Sequence, residues 1–474
     1  MAESIPLPQY IKGMVREAVV DSPVAPADSL ELSMNLHFDI IGAVSLRKGM
    51  TLLGSQVRDN YNVLGMHTHI NNAGTTRHIL AKVGDALYPF TGSAWQTAIR
   101  TGLVAGSKMR YTTFVDYTFM VNGSGSNGDD IKSYNGSIGT TNCASLPKGD
   151  DIENYRSRLW VLDSSTDKVY YSDVVNTDNT ITGGAEFIQI SPQDGDKAVA
   201  LKRSPNALLV FKQNHIYRIQ NINTVDPDPK IYRGTYSKDS IIESKIGIHF
   251  HHSSGFYTYN DGGQPTELSK PIYDFVKAIP RANYENVTGW ADDDHLNWSV
   301  GDLTVGGIAF TNVVFNYTIS TELWTIYSMG SEIKSACAYD NGTDQFLLVG
   351  DDDGNVLKWG VGDTDNGTAI FYDLQTHWLY LPQNKSSITA LSELATLHEN
   401  AQGSNVQWQF NNASSFEWKG GGTIKKDLVD TFPINAKNII RIRLRLHGQS
   451  KGTGFLFRGW ELLNAVVNGP QPTK

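Results

Sequence analysis

A hairpin-like pattern recurs between Tyr61 and Gly360: a β-rich run, a turn of Gly, Asn, Asp or Ser, and a second run that carries an aromatic residue. Successive aromatic runs are irregularly placed but often about 40 residues apart, which is the length of one propeller blade. A single hairpin cannot bury its apolar face, so stacking of four-stranded units around an axis is the economical fold. The pattern predicts an all-β chain with a β-propeller of six or seven blades over residues 61–362. An open pair of sandwiches is the structural alternative. The aromatic runs are Asp85–Phe90, Lys168–Ser172, Asn214–Arg218, Ser254–Thr258, Glu322–Ile326 and Asn355–Trp359.

The composition agrees with many short strands joined by tight turns. Charged residues make up 19% of the chain, below the roughly 25% of an average soluble protein, while aromatic residues reach 10% and there are 44 glycines. The formal net charge of −9 argues against a protein whose main task is to hold nucleic-acid phosphates, because such binding needs a dense basic field. DNA that merely passes along the protein is still compatible with this charge.

The segments on either side of the repeat differ from it in their sequence pattern. Residues 1–60 contain four prolines in their first half and lack sustained apolar periodicity, which predicts an extended N-terminal arm that gains order by lying on another surface. Residues 363–474 carry longer stretches of alternating apolar residues, which predict a separate C-terminal β-sandwich. One short packing helix between two blades is predicted from Ile272, Phe275, Val276 and Ile279, which follow the i, i+3, i+4, i+7 spacing.

Three arginines form the most concentrated basic feature of the chain. Arg441, Arg443 and Arg445 alternate with Ile442 and Leu444, the period of two expected of a strand with one buried face. At about 3.3 Å per residue they form a row of guanidinium groups roughly 13 Å long. One interpretation is a solvated outer face. The other is docking to an acidic neighbouring subunit, which makes these residues the candidate inter-subunit interface.

Neither catalytic residues nor a cofactor or metal site is predicted. The acidic turns Asp292–Asp294 and Asp351–Asp353 are typical of solvated hairpin tips, and no paired acidic motif repeats along the blades. The turn Asp363–Gly367 has alternating oxygen ligands but lacks the distant glutamate of an EF-hand, so it is interpreted as a turn between domains. The pairs His67 with His69 and His249 with His251 would each share one strand face, and without an evident third ligand they are interpreted as ordinary edge positions.

Several segments follow one another in a recognisable order, and they are Ser33–Gly42, Leu46–Gly49, Leu53–Gly54, Asn154–Val161, Val169–Ser172, Ala207–Phe211, Ile216–Tyr217, Gly255–Tyr257, Lys270–Ile272, Gln407–Trp418, Arg441–Leu446 and Gly459–Leu462. This order resembles the packaged-DNA stabilisation or tail-hub proteins of podoviruses, the short-tailed bacteriophages.

The resemblance implies a non-enzymatic structural protein of the virion tail. It implies a homo-oligomeric ring, with six the expected number of copies, that sits below the portal and the adaptor of the neck as a hub or nozzle. Such a ring continues or closes the DNA channel and attaches a distal needle, fibre or spike protein. DNA would pass during ejection without specific binding, which suits an acidic wall because a basic one would hold phosphates.

The same resemblance implies assembly in the host bacterial cytoplasm, and the sequence contains no apolar stretch of about 18 residues that would predict a membrane partner. The alternative from another functional class is a propeller glycoside hydrolase or a glycan-binding module that recognises a receptor through exposed Trp and Tyr side chains.

Overall fold

The structure is a computed structural model that describes residues 2–7, 13–16, 28–40, 42–125, 128–139, 146–174, 181–222, 224–225, 231–380, 388–410, 418–439, 441–449 and 454–467. Its regular structure is almost entirely β-strand. Within these residues, every helix is too short and too polar to cross a lipid bilayer.

Five strands come from the N-terminal segment, and they are β1 (Ala2–Pro6), β2 (Leu30–Met34), β3 (Leu36–His37), β4 (Val44–Leu46) and β5 (Met50–Leu52).

The repeat region forms the next strands, β6 to β32. They are β6 (Val63–Ile70), β7 (Arg77–Val83), β8 (Ala86–Phe90), β9 (Arg110–Phe114), β10 (Tyr117–Asn122), β11 (Asp129–Tyr134), β12 (Ile138–Gly139), β13 (Asp151–Tyr155), β14 (Arg158–Asp163), β15 (Lys168–Ser172), β16 (Gly183–Gln189), β17 (Ala198–Arg203), β18 (Leu208–Lys212), β19 (His215–Asn221), β20 (Thr224–Val225), β21 (Ile231–Tyr232), β22 (Ile242–Ser244), β23 (Gly247–His252), β24 (Gly255–Tyr259), β25 (Thr266–Glu267), β26 (Thr288–Ala291), β27 (His295–Val305), β28 (Ile308–Thr318), β29 (Leu323–Ser328), β30 (Ile333–Asp340), β31 (Gln345–Asp351) and β32 (Val356–Trp359).

The C-terminal part supplies the remaining strands, which are β33 (Thr364–Asp365), β34 (Thr368–Ala369), β35 (Phe371–Thr376), β36 (Leu379–Tyr380), β37 (Ile388–Glu399), β38 (Asn405–Phe410), β39 (Lys419–Thr423), β40 (Leu428–Ile439), β41 (Arg441–Gln449) and β42 (Leu456–Val467).

Strands β6 to β32 form the blades of a β-propeller, which confirms the predicted fold class. Each blade is an antiparallel sheet of consecutive strands, as in β13-β14-β15-β16 or β22-β23-β24-β25. The first strands of neighbouring blades contact one another from β6 through β9 and β13 to β17, and from β22 through β26 to β30. A 3₁₀ helix at Lys238–Ser240 contacts both β17 and β26, and β30 contacts β6, so the ring closes. Six of these sheets have no strand in common with the C-terminal sandwich, while the sheet containing β26 to β29 continues into it.

The predicted packing helix is present between two blades. A 3₁₀ turn at Lys270–Ile272 leads into the helix α1 (Tyr273–Lys277), which lies between β25 and β26, and a further 3₁₀ helix follows at Arg281–Asn286. Phe275 and Val276 are buried in one cluster with Trp298 and Phe315 of the following blade. The helix therefore fills the space between two blades, as its spacing predicts.

The C-terminal part forms a β-sandwich with a core of its own. One sheet has the order β3-β4-β42-β37-β40, with β1 added beside β42. The facing layer contains β2, β35, β41, β38 and β39. Leu444 and Leu446 of β41 pack in one buried cluster with Leu394, Trp460 and Leu462 of the opposite sheet. The alternation around the three arginines correctly predicted which side chains of β41 face this core.

The N-terminal segment is built into both parts of the molecule. Strand β5 lies between β32 and β33 in the sheet of the blade that closes the ring. Strand β2 lies between β29 of the propeller and β35 of the sandwich, so one sheet runs through both. The segment was predicted to lie on another surface, and in its described parts this surface belongs to the same chain. Backbone pairing across such distances in sequence leaves no local pattern from which the partner could be read.

Candidate functional site

A cavity lies where the N-terminal segment, the propeller and the sandwich meet. Its volume is about 540 Å³, and its wall combines apolar side chains with several charged ones. Strand β3 leads into it from the sandwich, the turn before β27 enters from the propeller, and Trp359 at the end of β32 closes one side. The polar lining residues are His37, Asp39, Ser45, Arg47, Lys48, Asp292, His295 and Asp363.

Two histidines and one carboxylate converge at the wall of this cavity. Asp39 Oδ2 lies 3.3 Å from His37 Nδ1, and its other oxygen, Oδ1, lies 2.9 Å from His295 Nε2. The two imidazole rings are 4.6 Å apart between centroids. Both histidines are mostly covered by protein, whereas the Asp39 side chain is 43% exposed. The carboxylate therefore joins the two rings from the solvent side.

The outward nitrogen of each ring is held by a second group. His295 Nδ1 lies 2.9 Å from Asp292 Oδ1, and that same oxygen accepts hydrogen bonds from the backbone N–H groups of Asp294 and His295. His37 Nε2 lies 2.6 Å from the hydroxyl oxygen of the buried Tyr327. These contacts fix both ring orientations, and they leave His37 Nδ1 and His295 Nε2 directed towards Asp39.

The charges of the cluster follow from these contacts. Burial opposes the charged form of His295, but hydrogen bonds to Asp292 and Asp39 outweigh it and raise the pKa of His295 to about 10. Burial lowers the pKa of His37, which has the single carboxylate contact with Asp39. Hydrogen bonds from His295 and His37 hold the pKa of Asp39 below its usual range despite burial. A neutral and a charged imidazole thus share one ionised carboxylate.

Arg47 completes the charged lining on the other side of the cavity. Its guanidinium group binds both oxygens of Asp365, at 2.8 and 2.5 Å, and Nε donates to Asn35 Oδ1 at 2.8 Å. Asp365 belongs to the turn Asp363–Gly367, which is a tight connection between β33 and β34 and confirms the interpretation of a turn. Because Asp365 is engaged by Arg47, this turn is a structural anchor of the N-terminal segment.

The predicted arginine row has partners within its own chain. Arg443 pairs with Glu31 at 2.5 Å, and Arg445 binds Asp373 through two nitrogens, at 2.6 to 3.1 Å. The Arg441 guanidinium lies 4.4 Å from the centre of the Trp378 ring. The interpretation as a solvated face is wrong for Arg443, whose side chain is 12% exposed. The inter-subunit role of the row stays a prediction, and its charge is largely matched internally.

The acidic turns differ from the predicted solvated tips. Asp351 is 2% exposed, and its carboxylate accepts hydrogen bonds from the backbone of Asp353 and Asn355 and from the Ser331 hydroxyl. It organises its turn from the inside, and burial raises its pKa. Asp292 belongs to the cavity cluster. The prediction of solvated tips is correct for Asp293 and Asp353, which are exposed, and wrong for the buried Asp351. It fails there because hydrogen bonding of a carboxylate to its own turn backbone, which draws it inward, is invisible in composition.

The prediction of edge positions is wrong for His249 and His251, which are buried on β23, an inner strand of its blade. His67 and His69 lie on β6, an edge strand of its sheet, where His69 is buried and His67 is partly exposed. Burial lowers the pKa of His67 and of His249 to about 4 and that of His251 to about 3. No carboxylate acts to raise the pKa of His67, His249 or His251, which separates these three from the cavity cluster.

Sequence analysis missed the cavity cluster. Its members lie in two short motifs, His37-x-Asp39 and Asp292-x-x-His295, each of which is common in turns. The acidic turn Asp292–Asp294 was noticed, but the histidine that follows it was not. The signal that could have found the site is the placement of an Asp-x-x-His turn at the start of a strand, together with a second His-x-Asp motif elsewhere. What joins them is the pairing of the N-terminal segment, which only the fold defines.

Comparison with known proteins finds distantly similar solved structures and no family. No family model matches it, and no curated protein matches it. Among solved structures it is similar to BBS1N in complex with ARL6DN, with 10% identity over 68% of this chain and 100% of that chain, at a TM-score of 0.42. It is also similar to the GH74 enzyme of Niastella koreensis, with 12% identity over 64% and 43% of the two chains, at a TM-score of 0.40.

A third similar structure is the WD40 domain of Neurospora crassa Pan2, with 9% identity over 66% of this chain and 99% of that chain, at a TM-score of 0.37. At such identities and scores, none of these three structures bears on function.

Proposed function

We propose that this chain is a non-enzymatic structural component of a short-tailed bacteriophage tail, a hub or nozzle subunit that forms a ring below the portal and adaptor. The ring would continue or close the DNA channel and hold the distal needle, fibre or spike. The proposal rests on the order of segments described above, which resembles the podovirus tail-hub family over most of the chain.

One structural observation supports a mechanical role, in which the propeller and the sandwich must resist being pulled apart. Strand β5 closes the propeller ring against β32, and strand β2 runs between β29 and β35. Ser33 and Thr325 add a buried side-chain hydrogen bond of 3.0 Å across this junction. A force that separates propeller and sandwich would have to break backbone pairing within a shared sheet. A wall that withstands DNA passage needs such a coupling.

The sandwich offers a surface for a neighbouring subunit. Strand β40 is the last in the order of its sheet, and its first residues, Leu428 and Val429, are 63% and 45% exposed. An edge strand with exposed apolar side chains is a site at which another chain can pack. Since the arginine row is matched internally, this edge is the better place to seek the contact between ring subunits.

The test is the copy number of this chain in the virion, measured by cryo-electron microscopy of the particle. We expect six copies in one ring on the neck. A single copy, or absence from the tail, would overturn the assignment. A protein that stays monomeric outside the tail and degrades capsule, lipopolysaccharide or peptidoglycan would support the glycoside hydrolase alternative instead.

A second experiment addresses the edge strand separately. The variant Leu428→Glu should join assembling tails poorly, because it places a charge on the proposed contact. Ile308→Glu is the matched control, since Ile308 is comparably exposed at a propeller hairpin. If Leu428→Glu assembles normally, the proposed contact at this edge strand is wrong, while the ring assignment still stands.

A further inference from the structure

We propose that His37, Asp39 and His295 form a binding site for one divalent transition-metal ion, with Zn²⁺ the best match, that fastens strand β3 to propeller strand β27. Among the described residues, these three offer ligand atoms that all lie within 4.8 Å of one another. The proposal does not depend on the function proposed above.

The spacing of the ligand atoms is close to that of a tetrahedral site. Ligand atoms held about 2.1 Å from a tetrahedral ion lie about 3.4 Å from one another. Asp39 Oδ2 lies 3.3 Å from His37 Nδ1 and Oδ1 lies 2.9 Å from His295 Nε2, and one ligand atom from each of the three residues lies within 4.8 Å of the other two. Small side-chain rotations therefore suffice to receive the ion, which takes the place of the protons shared between the imidazoles and the carboxylate. Those protons leave to solvent as the ion binds.

The outer contacts are those of histidines that serve as metal ligands. Such a histidine usually donates its second ring N–H to a carboxylate or another oxygen, which fixes the tautomer and the ring plane. His295 has Asp292 at 2.9 Å in this role, and His37 has the Tyr327 hydroxyl at 2.6 Å. Both ligand nitrogens are thereby held facing the Asp39 carboxylate.

The donor set selects the class of metal. Two imidazoles with one carboxylate suit Zn²⁺ and related transition metals, whereas Ca²⁺ requires six to eight oxygen ligands and Mg²⁺ a nearly complete octahedron of oxygens. The fourth position faces the cavity of about 540 Å³ and is open to water or to a small anionic or neutral ligand. This arrangement of three protein ligands and one open position differs from that of closed structural zinc sites, which have four protein ligands, and is the one found in catalytic zinc sites.

The ion would act as a cross-link between distant parts of the chain. Asp39 and His295 are 256 residues apart in sequence, and they belong to the N-terminal segment and the propeller respectively. A metal bound only by the folded arrangement stabilises the fold by mass action. The expected consequence is a higher thermal midpoint of the Zn²⁺-loaded chain than of the chelator-treated chain.

The experiment uses the purified full chain, stripped with a chelator, dialysed against Zn²⁺ and then against metal-free buffer. Bound metal is measured by plasma mass spectrometry, and the thermal midpoint is measured with and without Zn²⁺. We expect one Zn²⁺ per chain and a Zn²⁺-dependent rise of the midpoint. Co²⁺ in place of Zn²⁺ should give the intense visible absorption of a tetrahedral site.

The variants Asp39→Asn and His295→Gln should lose the bound Zn²⁺ and the Zn²⁺-dependent rise, and circular dichroism of the stripped proteins reports whether they fold. If one fails to fold, His37→Gln supplies the same test. His215→Gln is the matched control, because His215 Nδ1 lies 2.7 Å from Asp196, and neither residue belongs to a three-ligand group among the described residues. That variant should keep one Zn²⁺.

Three results would overturn the proposal. They are the retention of less than half an equivalent of Zn²⁺ by the unmodified chain, equal Zn²⁺ retention by the ligand variants, and a weak octahedral Co²⁺ spectrum.

Discussion

Glu31 and Asp39 are close in sequence within the N-terminal segment, and each belongs to a charged network. The network of Glu31 is closed, meaning that protein groups surround it, whereas the network of Asp39 opens to a cavity. Glu31 meets Arg443 at 2.5 Å, and the same guanidinium donates to Gln375 and to the Thr376 carbonyl. The Trp418 ring covers it at 5.0 Å. Asp39 instead bridges two histidines at the wall of a cavity and is 43% exposed.

The difference shows which feature separates a structural ion pair from a binding site. Both networks tie the N-terminal segment to a distant element, and both contain well-placed hydrogen bonds. In the arginine network, Nε and Nη2 of Arg443 face protein acceptors and the Trp418 ring covers the guanidinium group. In the histidine network, both rings face the Asp39 carboxylate at the wall of the cavity. Access to the cavity, rather than the number of charges, marks the candidate site.

The largest effect is expected from opening the closed network. Arg443→Ala should lower the free energy of unfolding by about 3–5 kcal/mol, because it leaves the buried Glu31 carboxylate without its partner. The loss is measured by urea unfolding followed by fluorescence. Its control is the double variant Arg443→Leu with Glu31→Leu, which removes both charges and should be far less destabilising. A loss below about 1 kcal/mol in the single variant would mean that the pair is solvated.

The sequence predicted the local parts of this comparison and not its long-range ones. Alternation around Arg443 correctly indicated which side chains of β41 face the sandwich core, and apolar spacing correctly indicated the helix at Phe275. Each of these two patterns is contained in a short stretch of sequence. By contrast, Ser33 contacts Thr325, 292 residues away. Such pairing is fixed by sheet closure, which depends on the whole ring of blades.

The candidate site was beyond sequence analysis for the same reason. In the sequence analysis, His37 and Asp39 appear only within the segment Ser33–Gly42, and His295 is not singled out. Their convergence requires β3 to pair with β4 in the sandwich while β27 starts beside it in the propeller. No periodicity in the sequence indicates that β3 and the start of β27 lie side by side. The arginine row shows the converse case, since its pattern was clear while its partners Glu31 and Asp373 were not.

An intermediate effect is expected from a histidine that lacks any carboxylate partner. Among the described residues, neither ring nitrogen of His251 has a hydrogen-bond partner, and the ring packs against Phe256 and Tyr284. Burial lowers its pKa to about 3, so the folded state holds it neutral. The neutral His251 ring costs the folded state no stability above the unfolded pKa near 6.5. As the pH falls from 6.5 towards 3, the unfolded chain takes up a proton that the folded chain does not, so the free energy of unfolding decreases.

The variant His251→Phe tests this contrast with the cavity cluster. Between pH 7 and pH 5 the unmodified chain should lose about 2 kcal/mol more of its unfolding free energy than the variant does. Urea unfolding at several pH values measures the difference. Phe250→Leu on the same strand is the control, since it should shift stability by a similar amount at every pH. Parallel pH profiles for the unmodified chain and His251→Phe would contradict the assignment of a neutral buried ring.

The smallest effect is expected from an ion pair that resembles the Arg443 pair in geometry but not in burial. Arg458 binds Glu399 Oε1 through two nitrogens, at 2.7 and 3.2 Å, while the two side chains are 53% and 41% exposed. Water already solvates both groups, so Arg458→Ala should cost less than about 1 kcal/mol, and the cost should shrink further in high salt. Urea unfolding at low and high salt measures both quantities. If Arg458→Ala were as destabilising as Arg443→Ala, burial would not explain why the Arg443 pair contributes more stability than a surface pair. The difference between the two ion pairs would then have to rest on geometry alone.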